Sequence, residues 1–480
     1  MLGLATSVLL PGPAIATGRS ADEGQEMLRT PATLVAGADA HRCRRHLPPA
    51  LPDPMRQTMN PRHRPCSRSC SGTVAGLLSV AALCAHADAQ ISVKYTIDTG
   101  IPSASHLALA RHASVNGGDV PELLVGVPDI GSVLIINGRN GAELSRITVP
   151  GSGFGRAIAS VPNLDDDPND EILVGDPNND TVSLWSPRAD NTNVLIAAWS
   201  SFGFPAGGTA YGMSVAAKDL DGDGRAELLI GDPLANTVEV VSITAGTLAP
   251  TLVSTIQGPP GDYFGWCVNT LSDQDNDGVA EIVVGSPRAY IAAAPGTARI
   301  FSGGALTATV LSSSALVTLN GVTNNDHYGW ALTGVGDQDG DGREDLAIGA
   351  PSDNQPANSH VDVFGFTVAG QLLQPHVVYV IPFSAPHAVG KGLAPCEDYD
   401  GNGVDDFLVG THVDYSNPNF NLYSGRVDIW STTRSLWLPG TPLGPTASPY
   451  FGESVTSLGI VLGRRLAAVA DRGTGKVHVF

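Results

Sequence analysis

The residues of this 480-residue chain best suited to chemistry lie in four acidic loops of one design. Each loop has oxygen-bearing side chains at relative positions 1, 3, 5 and 9 and a glycine at position 6. These side chains are Asp219, Asp221, Asp223 and Glu227; Asp273, Asp275, Asp277 and Glu281; Asp337, Asp339, Asp341 and Asp345; and Asp398, Asp400, Asn402 and Asp406. With a backbone carbonyl near position 7, this spacing supplies the six or seven oxygen contacts that Ca²⁺ needs. The sequence therefore predicts four calcium sites.

A fifth loop follows the pattern incompletely. It contains Asn163, Asp165, Asp167 and Glu171, but Pro168 replaces the turn glycine and fixes φ near −65°. The corresponding segments of the first and last units, 114–122 and 459–465, lack most or all of the ligands. The expected number of calcium sites is therefore four, or five if the fifth loop also binds. The alternative for any single loop is a solvated Asp-Gly turn without metal.

The residues after each loop indicate strands and not helices. An EF-hand loop also begins D-x-D-x-D-G, but it continues to a glutamate at position 12 and opens a helix. Here position 9 is succeeded by short apolar runs such as Leu228-Leu229-Ile230-Gly231, which are typical of buried β-strands that end at glycine. Each loop is therefore expected to join two strands.

The loops belong to a larger repeat. An aromatic-glycine pair opens most of the units, a glycine usually followed by x-Pro comes after the loop, and two further strand-like segments complete the unit. The second glycine recurs at 126, 175, 231, 285, 349 and 410, with Ala470 in its place in a last unit. Seven four-stranded units at spacings of roughly 50 to 64 residues predict an all-β, seven-bladed β-propeller. The last unit ends after its third strand at Phe480, so we expect the segment Ile91–Ile97 to supply the missing strand and close the ring.

The units resemble FG-GAP repeats, which build the N-terminal β-propeller of integrin α subunits. Phe264-Gly265 is followed by Val284-Gly285-Ser286-Pro287, and Tyr328-Gly329 is followed by Ile348-Gly349-Ala350-Pro351. The resemblance covers about residues 91 to 480. It implies adhesion or recognition of a protein or glycan ligand on the face opposite the calcium loops. Long loops are expected on that face at 288–295, 352–356 and 412–423.

Charge excludes some classes of partner. Residues 90–480 contain 18 basic and 41 acidic side chains, a formal balance of −23. Such a surface disfavours nucleic acid and anionic membranes, both of which recruit lysine and arginine. We expect a calcium-binding monomer with neither of these partners and no membrane span.

Residues 1–89 are predicted to be a separate, disordered leader. A basic stretch from Met59, an apolar run Val74–Leu83 and small residues around Ala87 and Ala89 have the order of a secretory signal peptide over about 59–89. The alternative is a buried helix. The first interpretation predicts a secreted, extracellular or cell-envelope protein. Only Cys267 and Cys396 come after the leader, and we expect both to be buried thiols in the inner strands of the fourth and sixth blades.

The alternative function is an extracellular propeller lyase or hydrolase with a site in the central channel. His327, His387 and His412 are the side chains that could meet near the channel mouth. The sequence contains none of the common metalloprotease, serine hydrolase or nucleotide-binding motifs, so we assign no catalytic residue. A purely structural envelope module is a third interpretation.

Overall fold

The computed structural model describes most of the chain from residue 92 onward. The described residues are 92–113, 115, 120–151, 153–165, 167, 169–188, 190–203, 210–287, 294–352, 358–369, 372–382, 387–413, 425–431, 435–437 and 450–480. The predicted leader and signal peptide lie outside them, as do most of the three long loops expected on the ligand face.

The described strands form seven sheets. A first strand, β1 (Tyr95–Asp98), precedes three blades. These are β2 (Ala108–His112), β3 (Glu122–Val127), β4 (Ser132–Asn137) and β5 (Glu143–Thr148); β6 (Ala157–Val161), β7 (Glu171–Asp176), β8 (Thr181–Pro187) and β9 (Asn193–Ser200); and β10 (Ser214–Lys218), β11 (Glu227–Asp232), β12 (Thr237–Ile243) and β13 (Pro250–Gln257).

Four further blades come next in chain order. Blade 4 has β14 (Cys267–Leu271), β15 (Glu281–Ser286), β16 (Thr297–Ser302) and β18 (Val317–Asn320), with β17 (Thr309–Leu311) inserted before β18. The others are β19 (Leu332–Gly334), β20 (Leu346–Ala350), β21 (His360–Ala369) and β22 (Leu372–Pro382); β23 (His387–Cys396), β24 (Asp406–Val413), β25 (Arg426–Trp430) and β26 (Ser435–Trp437); and β27 (Phe451–Val461), β28 (Arg464–Asp471) and β29 (Lys476–Val479). Short 3-10 helices lie at Pro128–Ile130, Gly303–Ala305 and Ser312–Ser314.

The blades close into a ring. Within each blade, successive strands pair antiparallel. The first strand of each blade contacts the first strand of the next, in the order β2, β6, β10, β14, β19, β23 and β27, and β27 contacts β2. The predicted seven-bladed propeller of four-stranded blades is confirmed.

The N-terminal strand completes the last blade. Strand β1 pairs antiparallel with β29, with Tyr95 opposite Val479 and Ile97 opposite Val477. Ile97 is buried, and the Tyr95 hydroxyl donates to the carbonyl of Gly138 in the first blade. The paired segment begins at Tyr95, four residues later than the predicted Ile91–Ile97. Tyr95 lies opposite Val479, which is the last residue of β29. The predicted closure is otherwise confirmed.

The second strand of a blade forms the centre of the core. All six residues of β3, β7, β11 and β15 are buried, which explains their nearly continuous apolar sequences. The aromatic side chain of each aromatic-glycine pair packs between blades. Phe264, for example, joins Leu229 and Val240 of blade 3 and Ile282 of blade 4 in one cluster.

The two repeated glycines fix the distance between neighbouring blades. Gly265 has φ of 92°, donates its N–H to the Gly285 carbonyl of its own blade, and places its own carbonyl against Gly231 of the preceding blade. A Cβ on Gly231 would collide with that carbonyl oxygen. The same contact recurs between Gly285 and Gly329, so both glycines of the repeat are explained by backbone-to-backbone packing.

One strand pairs outside its own blade. Strand β17, from the connection between β16 and β18, pairs in parallel with β13 and extends blade 3 to five strands. The sequence pattern did not predict this addition. It covers the outer edge of blade 3, which would otherwise present unpaired backbone groups.

Both cysteines of the propeller are thiols, as predicted. Cys267 is half-buried in β14 and Cys396 is buried in β23. Burial raises the pKa of Cys267 to about 11. No helix among the described residues has the length and apolar character needed to span a bilayer.

Candidate calcium-binding loops

All the acidic loops lie at one end of the propeller. Each connects the innermost strand of a blade to the second strand: β10 to β11, β14 to β15, β19 to β20, β23 to β24 and, for the incomplete loop, β6 to β7. Because the innermost strands run in the same direction around the ring, these turns share one face. We call this the acidic face and the opposite end the channel-mouth face.

The turns bring the predicted carboxylates together. In each of five groups, one oxygen per side chain lies within 4.8 Å of the others. The groups are Asp165, Asp167 and Glu171; Asp219, Asp221 and Glu227; Asp273, Asp275, Asp277 and Glu281; Asp337, Asp339 and Asp345; and Asp398, Asp400 and Asp406. Positions 1, 3 and 9 therefore converge in blades 3 to 6.

Position 5 is less uniform. Asp277 joins the group of blade 4, whereas Asp223 and Asp341 lie outside the groups of blades 3 and 5. Each of these two aspartates accepts a hydrogen bond from the N–H two residues later, at 2.8 and 2.9 Å. Asn402 makes the same contact with the N–H of Val404 at 2.7 Å. Asn163 donates its amide to the Asp167 carbonyl.

The first carboxylate of each loop holds the turn in shape. Asp219 accepts from the N–H groups of Gly222 and Gly224 at 2.7 and 2.9 Å. Gly224 has φ of 87°, a conformation that favours glycine and explains the residue at position 6. Equivalent bonds to Asp273, Asp337 and Asp398 hold the other three loops. Hydrogen bonds between the first carboxylate and backbone N–H groups of the same loop therefore stabilise each turn.

The ninth carboxylate anchors the loop to the core. Glu281, Asp345 and Asp406 are all fully buried, and one oxygen of each accepts the N–H of loop position 2 at 2.6 to 2.8 Å. The other oxygen of Asp345 and of Asp406 is buried and accepts no hydrogen bond from any described residue. A buried carboxylate oxygen without a donor is costly unless a cation satisfies it. The donor set, which consists of oxygens alone, fits a hard cation such as Ca²⁺.

The raised pKa values of the ninth carboxyl groups also indicate that burial disfavours their ionised form. Burial, followed in effect by the charge of Asp275, raises the pKa of Glu281 to about 8. Burial and neighbouring aspartates raise the pKa of Glu227 and of Asp345 to about 7. A divalent cation among these oxygens would reverse the shift, because it stabilises the ionised carboxylate.

In blade 2, an arginine neutralises the acidic loop. The Arg188 guanidinium lies 3.1 Å from Asp165 and 3.0 Å from Asp167. Both carboxylates therefore already face a cation of the chain itself. The sequence prediction for this loop considered Pro168 but missed Arg188, which lies 17 residues after Glu171 on the neighbouring strand.

Two other arginines connect neighbouring loops. Arg343, at position 7 of the blade 5 loop, donates to the Gln274 carbonyl at 2.6 Å and to Asn276 at 3.3 Å in the blade 4 loop. Arg225 makes the equivalent contact from blade 3 to the Leu164 carbonyl in blade 2. Adjacent loops are thus held together in pairs.

Of the three histidines considered for a catalytic channel, the structure describes the side chain of His327. His327 is buried and stacks on Trp330 with ring centroids 5.8 Å apart. The side chains of His387 and His412 lie outside the described part of the structure.

The amino-acid sequence is similar to those of integrin α subunits. Over 208 residues the chain is 27% identical to integrin alpha-5 of Xenopus laevis, and over 239 residues it is 28% identical to integrin alpha-PS2 of Drosophila melanogaster. The propeller is similar to that of integrin α subunits. The aligned parts of this integrin α-like propeller are 42% and 45% of the chain but 20% and 16% of those proteins. No protein-family model matches the chain.

A solved structure supports the fold alone. The β-propeller domain of Cps50 (Swd1) from Myceliophteria thermophila superposes with a TM-score of 0.50 at 11% identity, covering 81% of this chain and 98% of that domain. At this identity the likeness extends to the propeller architecture and not to the acidic loops.

Proposed function

We propose that this integrin α-like propeller is a calcium-stabilised recognition module of the cell exterior. Four Ca²⁺ ions, bound by the loops of blades 3 to 6, hold the acidic face rigid. The channel-mouth face is left to bind a protein or glycan ligand. The observation that carries the proposal is the convergence of the carboxylates at positions 1, 3 and 9 within 4.8 Å in all four blades.

The chain's own residues would do the following in each site. The carboxylates at positions 1 and 3 supply half-buried or exposed ligands. The buried ninth carboxylate supplies a further oxygen, which in Asp345 and Asp406 otherwise lacks a donor. The bound ion would supply positive charge that offsets the repulsion among them. The sites are structural in this proposal, because they lie at the turns between paired strands and away from the channel mouth.

Calcium binding is tested by calorimetric titration of chelator-treated full chain. We expect four equivalents of Ca²⁺ with dissociation constants of about 10⁻⁴ to 10⁻³ M, the range of extracellular modules. Absence of heat at millimolar calcium would contradict the metal part of the proposal. Asp275→Asn, which removes charge from the blade 4 loop, is expected to reduce the count to three, while Asp190→Asn, in an exposed turn outside the loops, leaves it at four.

Recognition and secretion need separate experiments. Glycan and protein arrays probed with the full chain in calcium are expected to give ligands whose binding survives substitutions on the acidic face. If no ligand bound, the recognition role would be contradicted, whereas the calcium sites would not be affected.

Secretion is tested by N-terminal sequencing of protein from the culture medium. We expect a first residue at or near positions 88–90. Protein found only in the cell fraction, with its sequence still beginning at or before residue 59, would contradict secretion.

A further inference from the structure

A cavity of about 590 Å³ opens at the centre of the channel-mouth face. Its wall is formed by the residue that comes after the first glycine of each repeat, where the chain enters the innermost strand of a blade. These residues are Arg156, Met213, Trp266, Trp330, Lys391 and Glu453. The size is within the range of small-molecule sites. Six repeats place a residue at this position, but the residue type differs in most of them. A search for residues shared among the repeats therefore does not reveal the cavity.

One side of the cavity is aromatic. The indoles of Trp266 and Trp330 have ring centroids 4.7 Å apart and planes tilted by 53°, and both side chains are half-buried. The Lys391 ammonium lies 4.8 Å from the centroid of Trp330. This contact fixes the lysine beside the indole pair by a cation–π interaction.

The charge of the cavity is opposite in sign to that of the chain. Among the described residues, three cations line it, Arg156, Lys391 and Arg472, against the two carboxylates Asp129 and Glu453. Glu453 is committed to Arg472 at 2.7 Å. Because the remainder after residue 89 carries 41 acidic and 18 basic residues, a local excess of positive charge is unusual on this molecule.

The cations are held in position by their neighbours. Arg472 lies 3.7 Å from the ring centroid of Tyr450, and Arg156 lies 2.6 Å from Nε2 of His106. Burial and the charge of Arg156 keep the pKa of His106 well below its ordinary value, so its ring is neutral and Nε2 accepts the guanidinium hydrogen. Such fixed donors favour an anionic ligand group.

We propose that this cavity binds an acidic oligosaccharide, with a sugar ring against the Trp266 indole and its carboxylate facing Lys391 and Arg156. Indole faces provide apolar area for the C–H face of a pyranose, and the lysine and arginine provide charge-assisted hydrogen bonds. A cationic ligand is disfavoured, since the Lys391 ammonium already lies over the ring of Trp330. The inference rests on the proposed recognition function and names its ligand class.

The test is titration of the full chain, with 1 mM calcium, using the hyaluronan tetrasaccharide, neutral chitotetraose and a tetraglutamate peptide as probes. We expect the acidic sugar to quench tryptophan fluorescence and to bind at least about tenfold more tightly than either of the others, as one charge-assisted contact provides. Equal binding of chitotetraose would overturn the role of charge, and equal binding of the peptide would overturn the role of the sugar ring.

Substitutions place the binding at the cavity. Lys391→Met and Arg156→Met are each expected to weaken hyaluronan tetrasaccharide binding at least about tenfold. The matched control is Lys94→Met, an exposed lysine that also lies over an aromatic ring, Tyr95, but directly before the outermost strand of blade 7. It is expected to leave affinity unchanged. Thermal melting of each variant verifies folding. If no acidic sugar binds while an array identifies another ligand, this inference fails and the recognition function stands.

Discussion

Chelation of calcium is expected to lower the thermal stability of the full chain by a predictable amount. Ligand that binds only the folded state stabilises it by RT ln(1 + [L]/Kd). At 10 mM Ca²⁺, dissociation constants of about 10⁻⁴ to 10⁻³ M give about 1.4 to 2.7 kcal/mol per site. Four separate sites together give about 6 to 11 kcal/mol.

The corresponding change in melting temperature depends on the size of the propeller. An unfolding entropy of about 2.1 cal/mol/K per residue, over roughly 390 residues, converts this energy into a shift of about 7 to 13 °C. Differential scanning calorimetry in 10 mM calcium and in excess EDTA measures it. Magnesium at the same concentration is the control and is expected to give a smaller shift, because Mg²⁺ demands tighter octahedral geometry.

Matched variants separate the loops from general ionic effects. In both Asp275 and Asp190 a side-chain oxygen accepts the N–H two residues later, at 3.1 and 3.0 Å, and asparagine can keep that bond. Asp275→Asn is expected to reduce the calcium-dependent shift by about a quarter, since it disables one of four sites. Asp190→Asn is expected to leave the shift unchanged. A shift below about 2 °C in the unsubstituted chain, far under the range expected from its unfolding entropy, or equal effects of the two variants, would refute the reasoning.

Three further predictions concern other parts of the ring. Arg188→Met is expected to raise the number of bound Ca²⁺ ions by one, because it frees Asp165 and Asp167 from their guanidinium partner; an unchanged calorimetric count would contradict this. Ile97→Ala is expected to destabilise the propeller by about 2 to 4 kcal/mol by opening the closing strand, whereas exposed Thr96→Ala costs less than about 0.5 kcal/mol; similar denaturation midpoints would contradict it. Burial lowers the pKa of His112 to about 4 in the folded chain, below about 6.5 in the unfolded chain, so stability is lost as pH falls through this interval. Between pH 6.5 and 5 the free energy of unfolding of the unsubstituted chain is expected to fall by about 2 kcal/mol relative to that of His112→Gln. Parallel profiles of unfolding free energy against pH for the two proteins would argue against this prediction.

The sequence was sufficient for the architecture because the repeat encodes it locally. The two glycines are required wherever backbones of neighbouring blades touch, so they mark each blade at a fixed position, as at Gly231 and Gly265. The strand that completes the ring was predictable from the missing fourth strand after Lys476–Val479. The convergence of the carboxylates at positions 1, 3 and 9 was also predictable, since all of them lie on one short turn. Their occupation by calcium stays a prediction.

Features that depend on neighbouring elements were not predictable from the repeat. Arg188 reaches the blade 2 loop from the third strand of its blade, and Arg343 reaches across to the blade 4 loop. Strand β17 pairs with a strand about 55 residues earlier, in a different blade. The cavity at the channel mouth combines residues from all seven blades. The pattern of glycines and carboxylates that defines one repeat does not specify these contacts.

The most direct measurement of the central claim is the anomalous scattering of crystals of the full chain grown in calcium, recorded at long wavelength. The account predicts four strong peaks, each among the carboxylates at positions 1, 3 and 9 of the loops of blades 3 to 6, with weak or no density beside Arg188. Calcium peaks elsewhere, or none at these loops in crystals grown at 10 mM calcium, would contradict it.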